Sequence, residues 1–256
     1  MQTYENFARV YDELMDDVPY KEWADFITEI LEKYNIKDGL MLELGCGTGK
    51  MMELLAKAGF DMIGVDFSMD MLQIAREKSQ DTDSSLLYLW QDMREFELYG
   101  TVRAIISICD SINYITEEEE LIQVFRLVNN YLDPEGIFLF DFNTEYKYRD
   151  VIGDSVIAED RDDVSFIWYN TYDEEKHLND IDLSVFVLEQ EDMYRKFQEE
   201  HIQKGYTFAQ MKELLEAGGL VFVDAFDGYT NGPVHKESER IVMIAREQGK
   251  GGRENG

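Results

Sequence analysis

Cysteine is scarce in this chain. Cys46 and Cys109 are the two present among 256 residues, far apart and both in apolar surroundings, which excludes a disulfide framework and fits a reducing compartment. Histidine is nearly as rare, with three scattered copies, and no spacing of histidines and cysteines suits a metal, so no metal is expected. Positive charge is also short: 24 basic residues face 54 acidic ones, for a formal net charge of −30. Such a surface repels phosphate backbones and anionic headgroups, which argues against a nucleic-acid partner unless a local basic patch forms. The same charge also serves plain solubility. No apolar run reaches the roughly 18 residues of a membrane span. The opening MQTYENFARVYDELMDD has no basic stretch leading into an apolar one, so a secretory signal is not expected and a cytoplasmic location is.

What is present is an ordinary globular composition, 45% apolar and 30% charged, over a length that suits one large domain or one domain with an insertion. Residues 3 to 35 carry apolar positions at helical spacing, with Phe7, Val10, Tyr11 and Leu14 before Pro19, and Trp23, Phe26, Ile27, Ile30 and Leu31 after it. Strands then alternate with helices. The strands are expected at Leu40–Leu44, Met62–Val65, Leu86–Trp90, Ala104–Cys109 and Ile137–Phe140. The helices are expected from Met51 to Ala58, from Ser68 to about Lys78 and from Thr116 to about Leu132. Alternation of this kind predicts a parallel sheet covered on both faces.

The pattern breaks near Glu145. Period-two segments, Ser165–Tyr169 and Leu183–Leu188, predict antiparallel strands with turns near Asp162-Asp163 and Asp173–Glu175. A helix resumes at Thr207, followed by strands at Leu220–Ala225 and Arg240–Ala245. The expected organisation is a doubly wound core of residues 1–144 and 206–246, an inserted antiparallel β cap of residues 145–205 and a flexible tail of residues 247–256. The insert leaves from the carboxyl end of a strand, the edge where open α/β sheets bind ligands.

The segment Glu43-Leu44-Gly45-Cys46-Gly47-Thr48-Gly49 meets three loop types. A dinucleotide fingerprint wants glycine at position 50, which is Lys50. A P-loop wants glycine at 44 and Ser or Thr at 51, which are Leu44 and Met51. The remaining pattern, acidic-x-Gly-x-Gly-x-Gly, resembles the glycine motif of the class I S-adenosylmethionine-dependent methyltransferases. Asp66 ends the second strand about 20 residues on, where a carboxylate can accept both ribose hydroxyls. Gln91-Asp92-Met93 follows the third strand. Val65-Asp66-Phe67-Ser68-x-x-Met71-Leu72, Leu132-x-Pro134-x-Gly136, Ala217-Gly218-Gly219-Leu220 and the opening Tyr4-x-x-Phe7-Ala8-x-x-Tyr11-Asp12 extend the resemblance over about residues 1 to 246. The chain is similar to small bacterial members with a β-rich insert, the group that includes sugar N-methyltransferases and uncharacterised relatives.

That resemblance implies a Rossmann-like α/β fold with a seven-stranded, mostly parallel sheet. It also implies S-adenosyl-L-methionine as cofactor and S-adenosylhomocysteine as product. Glu43 and the backbone of Gly45, Cys46, Gly47 and Gly49 would hold the amino-acid end, Asp66 the ribose, and Asp92 and Met93 the adenine, with Phe67 and Met71 also among the cofactor contacts. Cys109 lies in the loop after strand four, which the family places close to the methyl. Tyr4 and Tyr11 would close over the cofactor as a lid, or else pack as core. Cys46 reads as a small packing residue rather than a nucleophile.

On the acceptor side, Asp110 and Asn113 could orient an amine, or be turn formers. His201, after Glu199-Glu200, is the candidate base, with Tyr11 beside it as a candidate group; a lone histidine can equally be structural. His177 and His235 read as surface residues. Residues 145–205 hold 7 basic and 17 acidic side chains, 7 − 17 = −10, which favours a neutral or cationic acceptor if that charge faces the pocket. The expected function is methyl transfer to a small-molecule acceptor, amine or sugar-like. A protein or RNA methyltransferase and a non-catalytic cofactor-binding protein stay open, as does the oligomeric state.

Overall fold

The structure is a computed structural model, and it describes residues 4–80, 86–190 and 193–250. Two helices open the chain, α1 (Tyr4–Leu14) and α2 (Tyr20–Lys33). A βα alternation follows: β1 (Gly39–Leu44), α3 (Lys50–Lys57), β2 (Phe60–Asp66), α4 (Met69–Ser79), β3 (Leu86–Trp90), β4 (Val102–Ser107), α5 (Glu118–Tyr131) and β5 (Leu132–Asn143). Four strands come next, β6 (Val156–Asp160), β7 (Val164–Asp173), β8 (Leu178–Gln190) and β9 (Met193–Lys204). The chain then returns through α6 (Phe208–Ala217), β10 (Val221–Asp227) and β11 (Arg240–Arg246).

Seven strands form one sheet in the order β10-β11-β5-β4-β1-β2-β3. All neighbours from β3 to β5 pair in parallel, and β11 alone runs against the rest. The expected Rossmann-like architecture is therefore present. β1 and β4 are the neighbours from which the winding reverses, so their carboxyl ends open the crevice in which such sheets bind ligands. Two cores flank the sheet: Ile27, Leu31, Met52 and Ile106 on one face, Leu42, Phe125, Phe138 and Leu215 on the other. Strands buried on both faces read as continuous apolar runs, which is why Leu40–Leu44 and Ala104–Ile108 stand out in the sequence.

The segment between β5 and α6 forms a separate antiparallel sheet, β6-β7-β8-β9. Val164 and Val185 on its inner face pack with Val10 of α1, alongside Tyr11, Leu14 and Met71. Among the described residues, no helix is long and apolar enough to cross a membrane.

Local boundaries differ from the sequence reading for identifiable reasons. β4 stops at Ser107 rather than Cys109, because Cys109 and Asp110 turn left-handed at φ 58° and 52°. Glu117, not Thr116, caps α5. Residues 247–250 are not a frayed tail. Lys250 Nζ donates to the carbonyls of Asn129, Asn130 and Leu132, where the free carbonyls at the end of α5 attract a cation. Residues 251–256 lie outside the described residues.

Thr207 closes a reciprocal capping box with Gln210 at the start of α6. Thr207→Ala is expected to cost about 1 kcal/mol in a urea titration, the usual loss for an N-cap hydroxyl.

Candidate functional site

The glycine loop leaves β1 with Gly45, Gly47 and Gly49 all at positive φ, 74°, 51° and 76°. Each glycine does different work. A Cβ on Gly45 would lie 2.6 Å from Ser111 Oγ, so the loop packs directly against the segment after β4. A Cβ on Gly49 would lie 2.5 Å from Tyr88 Oη. A Cβ on Gly47 would meet nothing within 4 Å, so that side of the loop is open.

Two carboxylates underlie this loop. Asp66, 8% exposed, accepts the Gly47 N–H at 2.8 Å on Oδ2 and the Ser68 N–H at 2.8 Å on Oδ1. Burial raises its carboxyl, and the two backbone donors partly offset the rise. Glu43, buried on β1, has an Oε2 with no hydrogen-bond partner. Burial, with Asp66 nearby, raises it well above the ordinary carboxyl range. A buried acceptor without a donor is costly, and a cation arriving over the open side of Gly47 would relieve it. An adenosyl cofactor with an α-ammonium and a sulfonium fits this site.

Around the crevice, Asp92 is gripped by the Arg94 guanidinium at 2.6 Å, which holds its carboxyl low and ionised as an acceptor. Arg94 also reaches Glu120 at 3.1 Å. Met93 stands near Gly45, its Cε 3.4 Å from a Cβ built there. Phe67 lies exposed beside Asp66, and its carbonyl accepts the Trp90 indole at 2.8 Å. Met71 is half-buried between α4 and the inserted sheet.

α1 is tied down at the crevice by Asp12. Its Oδ1 accepts the Thr48 hydroxyl of the glycine loop, and its Oδ2 pairs with Lys78 at 2.6 Å. Lys78 also donates to the Thr48 carbonyl. Tyr11 follows inward, its hydroxyl raised by burial and then by the neighbouring Cys109, Tyr114 and Asp110. Only the backbone of Tyr4 is described, so its expected contact lies outside the described side chains.

The turn after β4 is held from below. Asp141 on β5, fully buried, accepts the N–H of Cys109 at 3.1 Å and of Asp110 at 2.7 Å, and the Tyr229 hydroxyl at 2.6 Å. Arg240 bridges Asp110 and Asp141 at 2.7 and 2.9 Å, with its guanidinium 5.4 Å from the Trp23 ring. Gln203 donates to the other oxygen of Asp110 at 2.8 Å. Two adjacent left-handed residues without glycine are strained, and this network is what fixes them. Cys109 Sγ contacts Tyr20 Oη at 3.6 Å, and burial pushes its thiol up to about 12. The Cys46 thiol is likewise raised by burial and lies against Gly64.

Residues 41–136 match the model of the methyltransferase domain family. A protein of Geobacillus sp. (strain WCH70) named as a methyltransferase is 32% identical over 95% of this chain and 99% of its own. The crystal structure of an S-adenosylmethionine-dependent methyltransferase from Clostridium acetobutylicum superposes with a TM-score of 0.88 at 33% identity, covering 96% of this chain and 99% of that one. The chain belongs to the S-adenosylmethionine-dependent methyltransferases. An amino-sugar N,N-dimethyltransferase of Streptomyces venezuelae, which acts on dTDP-3-amino-3,4,6-trideoxy-α-D-glucopyranose, is 29% identical over 48% of this chain and 50% of its own.

In this methyltransferase, Glu43, Gly45, Gly47 and Gly49 stand at the carboxyl end of β1, Asp66 and Phe67 at that of β2, Asp92 and Met93 after β3 and Cys109 after β4, all on one edge of the sheet. Asn113 does not reach an acceptor. It is fully buried, both amide hydrogens go to the carbonyls of Asn143 and Lys204 at 2.8 and 2.7 Å, and its oxygen accepts the Asn143 N–H. Asn113 thus staples β5 to β9. Asp110 is likewise engaged by Arg240 and Gln203, which makes it a positioning group.

His201, on β9, turns inward, its Nδ1 3.3 Å from Tyr114 Oη and its Nε2 3.9 Å from Glu199 Oε2. Burial lowers its imidazole. From sequence, Tyr114 and Glu199 stand beside candidate groups with no role of their own, and Asp141, Gln203 and Arg240 are not singled out. For Glu199 a signal existed: Phe197, Glu199, His201 and Gln203 alternate at period two, so a strand that buries Phe197 buries Glu199 as well. For Arg240 there was none, since its partners lie about 100 and 130 residues away.

Proposed function

We propose that the enzyme moves a methyl group from S-adenosylmethionine to a small-molecule acceptor carrying an amine or a sugar-like framework. The observation that carries the reading is the buried, donor-less Oε2 of Glu43 beside Asp66 and the open flank of Gly47. Glu43 and the loop backbone would hold the amino-acid end of the cofactor, Asp66 the ribose, and Asp92, Met93 and Phe67 the adenine. Cys109, Met71 and the lid residues Tyr4 and Tyr11 would lie towards the reacting end. When bound, this cofactor supplies a methyl group already activated on a sulfonium.

The protein's own work is then placement and exclusion of water. An acceptor lone pair has to be held in line, roughly 3 to 3.5 Å from the methyl carbon. The Asp12 latch keeps α1 across the crevice and the inserted sheet roofs it, which keeps water from the reacting end. The loop fixed by Asp141 and Arg240 presents Tyr114 to the same space. The amino-sugar relative supports an acceptor of that size and chemistry, and the net charge of −30 argues against a nucleic acid.

Isothermal titration of the purified protein with S-adenosylmethionine, with NAD as control, tests the cofactor half. Micromolar affinity for the former alone is the expected result; equal affinity for NAD, or none for either in folded protein, overturns it. Release of S-adenosylhomocysteine with a panel of small amines, sugars and acids tests the acceptor half.

A further inference from the structure

Glu199 has no use in the fold that its surroundings explain. Its side chain is 2% exposed, Oε1 has no hydrogen-bond partner, and no Lys or Arg among the described residues pairs with it. The charge that acts on it is another carboxylate, the half-buried Asp70 in the first turn of α4. On its own strand it faces His201 at 3.9 Å. Asp66 and Asp70 bracket the turn from β2 into α4, at the crevice edge of the sheet. Tyr114 joins the two ends: it senses both Glu199 and Asp66, together with Asp110 and Cys109. Burying an unpaired carboxylate opposite a second one is unfavourable unless a cation completes the arrangement.

We propose that Glu199 is the acceptor's ammonium site, so that the methyl acceptor is a primary or secondary amine that enters in its cationic form. Resting on the methyltransferase reading, this names the substrate class. The ammonium binds Oε1 of Glu199 with Tyr114 and His201 alongside, and Asp70 adds attraction from the opposite wall. The amine gives one proton to the Glu199 carboxylate, freeing its nitrogen lone pair. One N–C bond then forms as one S–C bond breaks, and the pair from the broken bond stays on sulfur as a neutral thioether. The product leaves as the methylated ammonium, and the proton on Glu199 returns to solvent. Carboxylate acceptors are repelled by the paired acids, and alcohols leave them unneutralised.

The test is turnover of the whole enzyme with S-adenosylmethionine and a library of matched pairs, each amino sugar or alkylamine beside the alcohol and the carboxylic acid of the same skeleton. S-adenosylhomocysteine is expected from amine members alone. For the best amine, Glu199→Gln, close in size but unable to carry charge or take up the proton, is expected to raise KM tenfold or more and to lower kcat tenfold or more, with the affinity for S-adenosylmethionine unchanged.

A second readout follows from burial, which pushes the Glu199 carboxyl up to about 7. Stability linked to its protonation is full below the ordinary glutamate value and is lost as pH rises through about 7. Glu199→Gln should therefore lose less Tm than wild type between pH 5 and pH 8. Turnover of the alcohols or acids, no turnover of any amine by protein that binds S-adenosylmethionine, or an unchanged KM in Glu199→Gln overturns the assignment. Failure to bind S-adenosylmethionine at all would instead overturn the methyltransferase reading beneath it.

Discussion

Arg240→Met is expected to destabilise the protein by about 3 kcal/mol, the scale of losing one partner from a buried ion pair. The guanidinium touches Asp110 at 2.7 Å and Asp141 at 2.9 Å, and Asp141 is fully buried. Methionine keeps the volume and removes the charge. Asp141 would keep Tyr229 and two backbone donors, and Asp110 would keep Gln203. Two carboxylates would then repel each other beneath a turn that already holds Cys109 and Asp110 left-handed. Urea denaturation at pH 7 reads the loss, and a fall below 1 kcal/mol would mean that the network is incidental. Arg240→Lys, with one compact charge in place of a fork, should recover about half, because it cannot bridge both acids as the guanidinium does.

This pair also marks where sequence reading stops. The βα alternation, the glycine loop and Asp66 are local: a strand, a turn and the first residues of a helix carry them, and residue types decide them within about 25 positions. The same holds for the inserted sheet, whose alternation of Phe166, Trp168 and Leu183, Val185 sets its inner face. Asn113 misled because a turn-forming residue type was all that could be seen; its partners, Asn143 and Lys204, come from β5 and β9. Lys250 misled in the opposite sense. Its Gly-rich surroundings suggested fraying, yet its ammonium finds the carbonyls that α5 leaves unpaired. Polar residues whose role depends on a distant partner are the class that composition and period cannot place.

Among the described residues, two buried carboxylates each keep one oxygen without a hydrogen-bond partner, Glu43 under the glycine loop and Glu199 on the inserted sheet. Each faces a second acid, Asp66 and Asp70 respectively. Carboxylates so placed weaken the empty protein and strengthen its hold on cations, since the same burial that raises their cost multiplies the attraction to an arriving charge. A cofactor with a sulfonium and an α-ammonium fits the first demand, and the ammonium acceptor proposed above would fit the second.

Asp66→Ala should weaken S-adenosylmethionine binding at least tenfold, on the order of 1.4 kcal/mol or more, for two hydrogen bonds lost to a charged acceptor. The same carboxylate orders the loop, because it accepts the Gly47 and Ser68 N–H groups at 2.8 Å each. Alanine therefore removes both a ligand contact and a loop restraint. Stability should fall less than affinity does: burial raises the Asp66 carboxyl, so the ionised group costs the empty fold something at neutral pH, and its removal offsets part of the two lost bonds. The variant is expected to stay folded by circular dichroism, and the loss to appear in isothermal titration. Asp66→Asn should fall between, since its single oxygen can serve one of the two backbone donors and carries no charge. An unchanged dissociation constant in folded Asp66→Ala would remove Asp66 from the cofactor site and leave Glu43 and the glycine backbone to hold the ligand alone.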